Sequence, residues 1–153
     1  MEILVARIPE EGSSYEGDEP GSIMQVEGEA FVREPGNVHY VLCAQRVSDE
    51  LIVRGTLDVG LDLQCARCSE FFSTTVSVSD FLRAYPAPEG IDSVDITDGL
   101  REEILLHIPG FPVCSDGCKG VCPQCGVDLN EGSCSCGTDD GPSAWTALDG
   151  LDL

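Results

Sequence analysis

Residues 51–78, LIVRGTLDVGLDLQCARCSEFFSTTVSV, decide how this chain folds. Leu51, Val53, Leu57, Val59, Leu61 and Leu63 occupy odd positions, and Arg54, Thr56, Asp58, Asp62 and Gln64 occupy even ones. That period of two is the mark of a strand with one buried face. The run is long for one strand, and Gly55 and Gly60 are where it is expected to bend or bulge. Phe72, Thr74, Val76 and Val78 then alternate with Ser73, Thr75, Ser77 and Ser79, so a second strand follows almost at once. Cys65 and Cys68 therefore cap a hairpin.

Working outward, Met1 to Ile8 reads as a short strand. Pro9 to Gly21 reads as a mobile acidic loop rich in Gly, Pro and Ser. Ser22 to Glu34 and Val38 to Val47 read as strands separated by the turn residues Pro35, Gly36 and Asn37. After a loop at 86–90, Ile96, Leu100 and Ile104 recur every four positions with Leu105 and Ile108 beside them, which predicts a helix over 96–108. Asp95, Thr97 or Asp98 can cap its start, and Pro109 ends it. Residues 143–153, with Trp145 and Leu148, are expected to form a short helix docked on the rest. The fold class expected is α+β, mostly antiparallel β and barrel-like. Residues 1–110 would form the β-rich domain with its closing helix, and residues 111–153 a cysteine-rich, zinc-binding extension.

The chain has 153 residues, and its 28 acidic against 8 basic side chains give a net charge of −20, with Lys119 the single lysine. Such a surface repels phosphate backbones, because nucleic-acid binding rests on Lys and Arg displacing counterions. Basic protein partners come first. No GxxxxGK[ST], GxGxxG or HExxH motif is present, which argues against an NTPase, a dehydrogenase or a zinc protease. No apolar run approaches the roughly 20 residues that a bilayer requires. His39, in a strand, and His107, at a helix end, read as structural.

Nine cysteines without a secretory leader point to a reducing, cytoplasmic setting and to metal ligation rather than disulfides. Eight fall into close pairs: Cys65 with Cys68, Cys114 with Cys118, Cys122 with Cys125, and Cys134 with Cys136. Cys43 stands apart and reads as a core thiol. A structural zinc takes four thiolates, usually as two close pairs from different segments, so eight make two sites. Cys122-Pro-Gln-Cys125-Gly126 has the form of a zinc knuckle, and a turn at Asn130, Glu131 and Gly132 can return Cys134 and Cys136 to the same metal. By elimination Cys65 and Cys68 would join Cys114 and Cys118. Two other arrangements stay open: Cys114 or Cys118 replacing Cys134 in the tail site, which leaves a single site possible, or a six-thiolate cluster of two metals. The spacings match no common ferredoxin run, which favours zinc over iron–sulfur. A CxxC thiol–disulfide enzyme is the catalytic rival, but that chemistry uses a helix start and the flanks here are strands.

Residues 55–72 (GTLDVGLDLQCARCSEFF), 101–109 (REEILLHIP) and 112–136 (PVCSDGCKGVCPQCGVDLNEGSCSC) resemble, in order, the YceD family of large ribosomal RNA subunit accumulation proteins. The resemblance implies a bacterial or organellar factor needed for large-subunit rRNA, without enzymatic activity. The family's gene in bacteria often neighbours that of a small zinc-binding ribosomal protein. It also implies one metal on Cys65, Cys68, Cys114 and Cys118, since members lacking the tail cysteines carry histidines at the last two positions. The expected partner is a basic ribosomal protein or a pre-50S-type particle, with no membrane and no small-molecule substrate. Direct rRNA contact is the alternative, through a patch of Arg67, Arg83 and Lys119.

Overall fold

The computed structural model describes residues 1–33 and 35–137. The helix expected over 143–153 lies outside the described residues. Seven strands and one helix follow in order: β1 (Glu2–Leu4), β2 (Ser13–Glu19), β3 (Val32–Arg33), β4 (Val38–Val47), β5 (Glu50–Gln64), β6 (Phe71–Pro86), β7 (Ser93–Asp95) and α1 (Thr97–His107). Short 3-10 turns at Val5–Arg7 and Gly21–Met24 interrupt the first part of the chain.

β5 and β6 form the expected hairpin, antiparallel from Glu50 opposite Pro86 to Gln64 opposite Phe71. β4 pairs antiparallel with β5, and β2 with β4. β3 pairs with the far end of β5, Val32 opposite Leu63, on the side that β4 occupies earlier. Every odd-numbered apolar residue of β5 named above is buried. The even positions stay outside, where Asp58 accepts a hydrogen bond from Ser77 and Asp62 accepts one from Ser73 at 2.6 Å. A bulge between Gly55 and Leu57 shifts the register against β6. Gly55 has φ +155°, and a Cβ there would lie 2.0 Å from the Val41 carbonyl oxygen, so close approach of β4 requires glycine. Gly60 causes no shift; the strand passes straight through it, and its carbonyl accepts the Gly36 N–H at 2.9 Å.

α1 packs against β6, β5 and the Gly21–Met24 turn. Ile96, Leu100 and Ile104 are fully buried, as their spacing requires. The N-cap position is Ile96, which offers no side-chain acceptor; Asp95, one residue before it, accepts the Thr97 N–H at 2.9 Å. Leu105, expected on the buried face, is partly exposed, and Leu106 beside it is 76% exposed.

Five expectations are corrected. Among the described residues the sheet does not close into a barrel, and β2 and β6 are its edges. Four long strands are too few to wrap an interior, so the inner face is covered by α1 and the 3-10 turns. The mobile loop at 9–21 is largely β2, whose exposed Glu16 and Asp18 project outward while its backbone joins β4. The strand expected over 22–34 is, among its described residues, mostly turn, with Val32–Arg33 as its extended part. Pro35–Asn37 accordingly does not close a hairpin, because β3 and β4 lie end to end along β5. Cys43 sits on the outward face between buried Leu42 and Ala44, half-buried and no core thiol.

The glycines of β5 provide a test. Gly55→Ala should lower the unfolding free energy by about 2–3 kcal/mol, because the methyl meets β4 backbone that cannot yield. Gly60→Ala, with nothing within 4 Å of its Cβ, should stay within about 0.5 kcal/mol of the parent in urea melts.

Candidate metal centre

The sequence between β5 and β6 forms a tight turn in which Ser69 adopts a left-handed conformation at φ +64°. Its N–H returns to the Cys65 carbonyl at 2.9 Å, and the Cys65 N–H reaches the Glu70 carbonyl at 2.8 Å. Cys65 and Cys68 thus point the same way. Pro109 ends the path of α1, and the chain returns beside this turn, where the Ala66 N–H donates to the Pro112 carbonyl at 2.7 Å. Cys114 and Cys118 arrive opposite the first pair.

The sulfur atoms of Cys65, Cys68, Cys114 and Cys118 lie within 4.8 Å of one another, as do those of Cys122, Cys125, Cys134 and Cys136. Cys65 Sγ is 3.9 Å from Cys118 Sγ, and Cys68 Sγ is 3.8 Å from Cys114 Sγ. Four thiolates around one zinc at the usual bond length of about 2.3 Å would stand about 3.8 Å apart. The quartets therefore fit a tetrahedral dication without rearrangement. The structure brings together all eight paired cysteines in the two groups reached by elimination, with Cys114 and Cys118 away from the tail group. Backbone N–H groups of Arg67 and Cys114 both approach Cys65 Sγ at 3.4 Å, an arrangement suited to a thiolate.

The thiols respond unequally. Burial pushes Cys65 up, but the N–H groups of Cys68, Cys114 and Arg67 outweigh it and hold this thiol at about 6. Cys68 receives an N–H from Glu70, yet burial and the three facing thiols carry it up to about 12. In the second quartet the N–H groups of Cys125 and Gln124 bring Cys122 down to about 6. The Cys125 thiol, and then burial, raise Cys136 to about 12. Within each quartet one sulfur takes the charge and others are held protonated, because closely packed thiolates repel unless a cation joins them.

Arg67 is the residue that spacing alone did not mark. Its guanidinium donates to the carbonyls of Asp116 and Cys118, each at 3.1 Å, and its own carbonyl accepts the Val121 N–H at 3.1 Å. Arg83, expected in one patch with it, instead pairs with Glu102 at 2.7 Å and Glu103 at 3.9 Å on α1. Lys119 is exposed. His39 faces Asp18 at 3.3 Å, and His107 Nδ1 lies 2.9 Å from the Glu103 carbonyl, so neither joins a quartet.

Beside the first quartet lies a cleft of about 430 Å³, lined by Phe31, Leu63, Ala66, Pro109, Phe111 and Pro112 among others. Phe111 is 87% exposed and Phe31 65%. Among the described residues no helix is long and apolar enough to cross a membrane.

A hairpin turn carrying one cysteine pair, closed by a second pair beyond a helix and followed by a compact cysteine loop, defines a small metal-ready β protein. The family model described as "Large ribosomal RNA subunit accumulation protein YceD" matches residues 83–152, a similarity in line with the resemblance read from the sequence. The chain is 31% identical over 64 residues to the Arabidopsis thaliana protein named "Large ribosomal RNA subunit accumulation protein YCED homolog 1, chloroplastic", covering 42% of this chain and 20% of that one. It is 40% identical over 50 residues to the Zea mays protein of the same name, covering 32% and 17%. It is 34% identical over 102 residues to an uncharacterised Mycobacterium tuberculosis protein, covering 58% and 49%. The chain thus spans about half the length of the mycobacterial relative and a fifth or less of the plant ones. No solved structure matches.

Arg67→Ala removes both bonds to the 116–118 carbonyls. Amide exchange at residues 116–121 should quicken about tenfold, a change worth about 1.4 kcal/mol. The β5–β6 ladder should exchange as before.

Proposed function

We propose that this protein is a non-enzymatic factor supporting large-subunit rRNA accumulation, which holds zinc in its two cysteine quartets and binds a basic ribosomal protein or a pre-50S-type particle. Residues 1–110 are then the β-rich domain, and residues 111–153 the zinc-binding extension. The family description and the names of the plant relatives support the biological setting. Thiolate donors in tetrahedral spacing favour zinc over harder ions. Nine free thiols suit a reducing compartment, and we place the protein in the cytoplasm.

The observation that carries the choice of partner is the fate of the cations. Arg33 stacks on Phe71 at 3.8 Å, Arg46 donates to the Ser48 carbonyl, Arg67 to two carbonyls, and Arg83 and Arg101 pair with carboxylates. Five of the eight basic side chains are thereby engaged within the chain, which carries a net charge of −20. Gripping rRNA would need several cations free to displace counterions. A basic protein meets complementary charge instead, and the exposed Phe31 and Phe111 beside the cleft supply apolar anchors.

The thiol–disulfide reading is weaker. Cys65 has the low pKa of a redox thiol, but it is buried against three other cysteines, whereas an attacking thiolate must be reached by its substrate.

Affinity purification at low and high salt tests the partner. A basic large-subunit ribosomal protein should be recovered at low salt and lost at high salt, as screening shortens the Debye length to about 8 Å at physiological ionic strength and further above it. Salt-resistant recovery of rRNA that Lys119→Glu abolishes would overturn this reading in favour of direct RNA contact. Native mass spectrometry of reduced protein should find two zinc ions per chain, and one after Cys125→Ser. A single zinc in the parent would sink the two-site partition, and an iron chromophore would sink zinc.

A further inference from the structure

Asn130 belongs by sequence to the loop between Cys125 and Cys134, but its side chain serves the other quartet. Its Nδ2 donates to Cys118 Sγ at 3.5 Å, and its Oδ1 accepts the Lys119 N–H at 2.8 Å. The second proton on Nδ2 goes to Asp128 Oδ1 at 2.7 Å, and the same oxygen accepts the Asn130 N–H at 2.8 Å. Both amide protons and the amide oxygen are engaged, and only one orientation of the group satisfies all three bonds. Backbone bonds run beside it: the Leu129 N–H donates to the Gly120 carbonyl at 2.9 Å, and the Cys122 N–H to the Val127 carbonyl at 2.9 Å. Residues 118–121 are thus held between the Cys65–Cys68 turn on one side and the loop at 127–130 on the other.

We infer that the two quartets take up metal as a coupled pair, with Asn130 the positioning residue that joins them. This rests on the reading of both quartets as zinc centres. The second quartet is drawn from one short stretch, 122–136, and its loop has little apolar surface to fold upon, since Val127 is exposed, Leu129 is only half-buried and most of the other side chains are small or polar. Metal must order it. When that loop is ordered, Asp128 fixes the Asn130 amide and Cys118 Sγ gains an N–H donor that orients it. When it is not, Cys118 loses the donor and Lys119 loses its acceptor. A binding free energy shared in this way is reciprocal, so metal in the first quartet raises the affinity of the second by the same factor. Donors of this kind are worth about 10- to 100-fold in metal affinity.

The test uses the full chain, loaded with zinc and titrated with a competing chelator under native mass spectrometry. The parent should pass from two zinc ions to none with little of the one-zinc species. Asn130→Asp keeps the acceptor for the Lys119 N–H but turns a carboxylate toward sulfur, and the one-zinc species should then accumulate. In the parent background Cys125→Ser should lower the zinc affinity of the first quartet about 10- to 100-fold; in the Asn130→Asp background it should add little. Cobalt(II) in the first quartet gives a second readout, because its ligand-field absorption should shift on Asn130→Asp while the far-ultraviolet circular dichroism of the sheet stays constant. Should the aspartate unfold the loop, Asn130→Ala removes both bonds without adding charge and must give the same uncoupling. Independent release of the two ions from the parent, or an equal effect of Cys125→Ser in both backgrounds, overturns the inference and leaves the zinc reading intact. A parent that retains no zinc overturns both.

Discussion

Four sulfur atoms from two distant parts of the chain, within 4.8 Å of one another, are the constraint on which the segment 111–137 depends. Among residues 111–137 the side chains buried are those of Cys118 and Cys122, and beyond half-buried Val113 and Leu129 little apolar surface collapses there to order the segment. What holds it is polar: the Ala66 to Pro112 bond, the Arg67 guanidinium on the carbonyls of 116 and 118, and the Arg67 carbonyl on Val121. Gly120, at φ +73°, brings its backbone so close to the Arg67 carbonyl that a Cβ would stand 2.9 Å from it. Net hydrogen bonds of this kind contribute about 1 kcal/mol each, too little to fix so long a segment against its conformational entropy. A dication held by each quartet would supply the missing term.

The same economy of apolar surface explains the charge. A sheet with one face covered by α1 and the 3-10 turns exposes its other face, and there Asp58 and Asp62 bond to serines of β6 rather than to cations. Arginines are found where they lock the chain on itself: Arg83 fastens α1 to β6, and Arg67 fastens the metal segment to the hairpin turn. The field outside is therefore left negative, which speeds encounter with basic partners and slows encounter with nucleic acid.

Much of this was legible in the sequence, and the reasons differ by element. β5 and α1 are long and periodic, so burial alone writes their pattern, and the spacing of the cysteine pairs follows from the reach of a short loop around one metal. β2 escaped because its seven residues, SSYEGDE, carry almost no apolar signal. It is a strand by virtue of pairing with β4, a contact that composition cannot reveal. The residues before β3 have strand-like composition, yet Gly21 packs so closely on the carbonyls of Pro35 and Gly36 that the chain turns there instead. Cys43 was misassigned by residue type: the register that buries Leu42 and Ala44 sends it outward. The roles of Arg67 and Asn130 lie in side-chain bonds to residues 49 and 51 positions away for the first and 11 and 12 for the second, and leave no local pattern to read.

The metal segment and the apolar cleft are one construction. Phe72 packs in the main core and also against the first sulfur quartet, with Val113 on the quartet's other flank. The cleft wall formed by Pro109, Phe111 and Pro112 is the short path from the end of α1 to Cys114, anchored at Pro112 by the Ala66 N–H. Phe111 is 87% exposed, so its position follows from the two fixed points on either side. One is the end of α1, set by Ile104 in the core; the other is the cysteine pair at 114 and 118. Loosening the quartet frees one end of this path, and the wall would then lose its shape while the sheet beneath it kept its own.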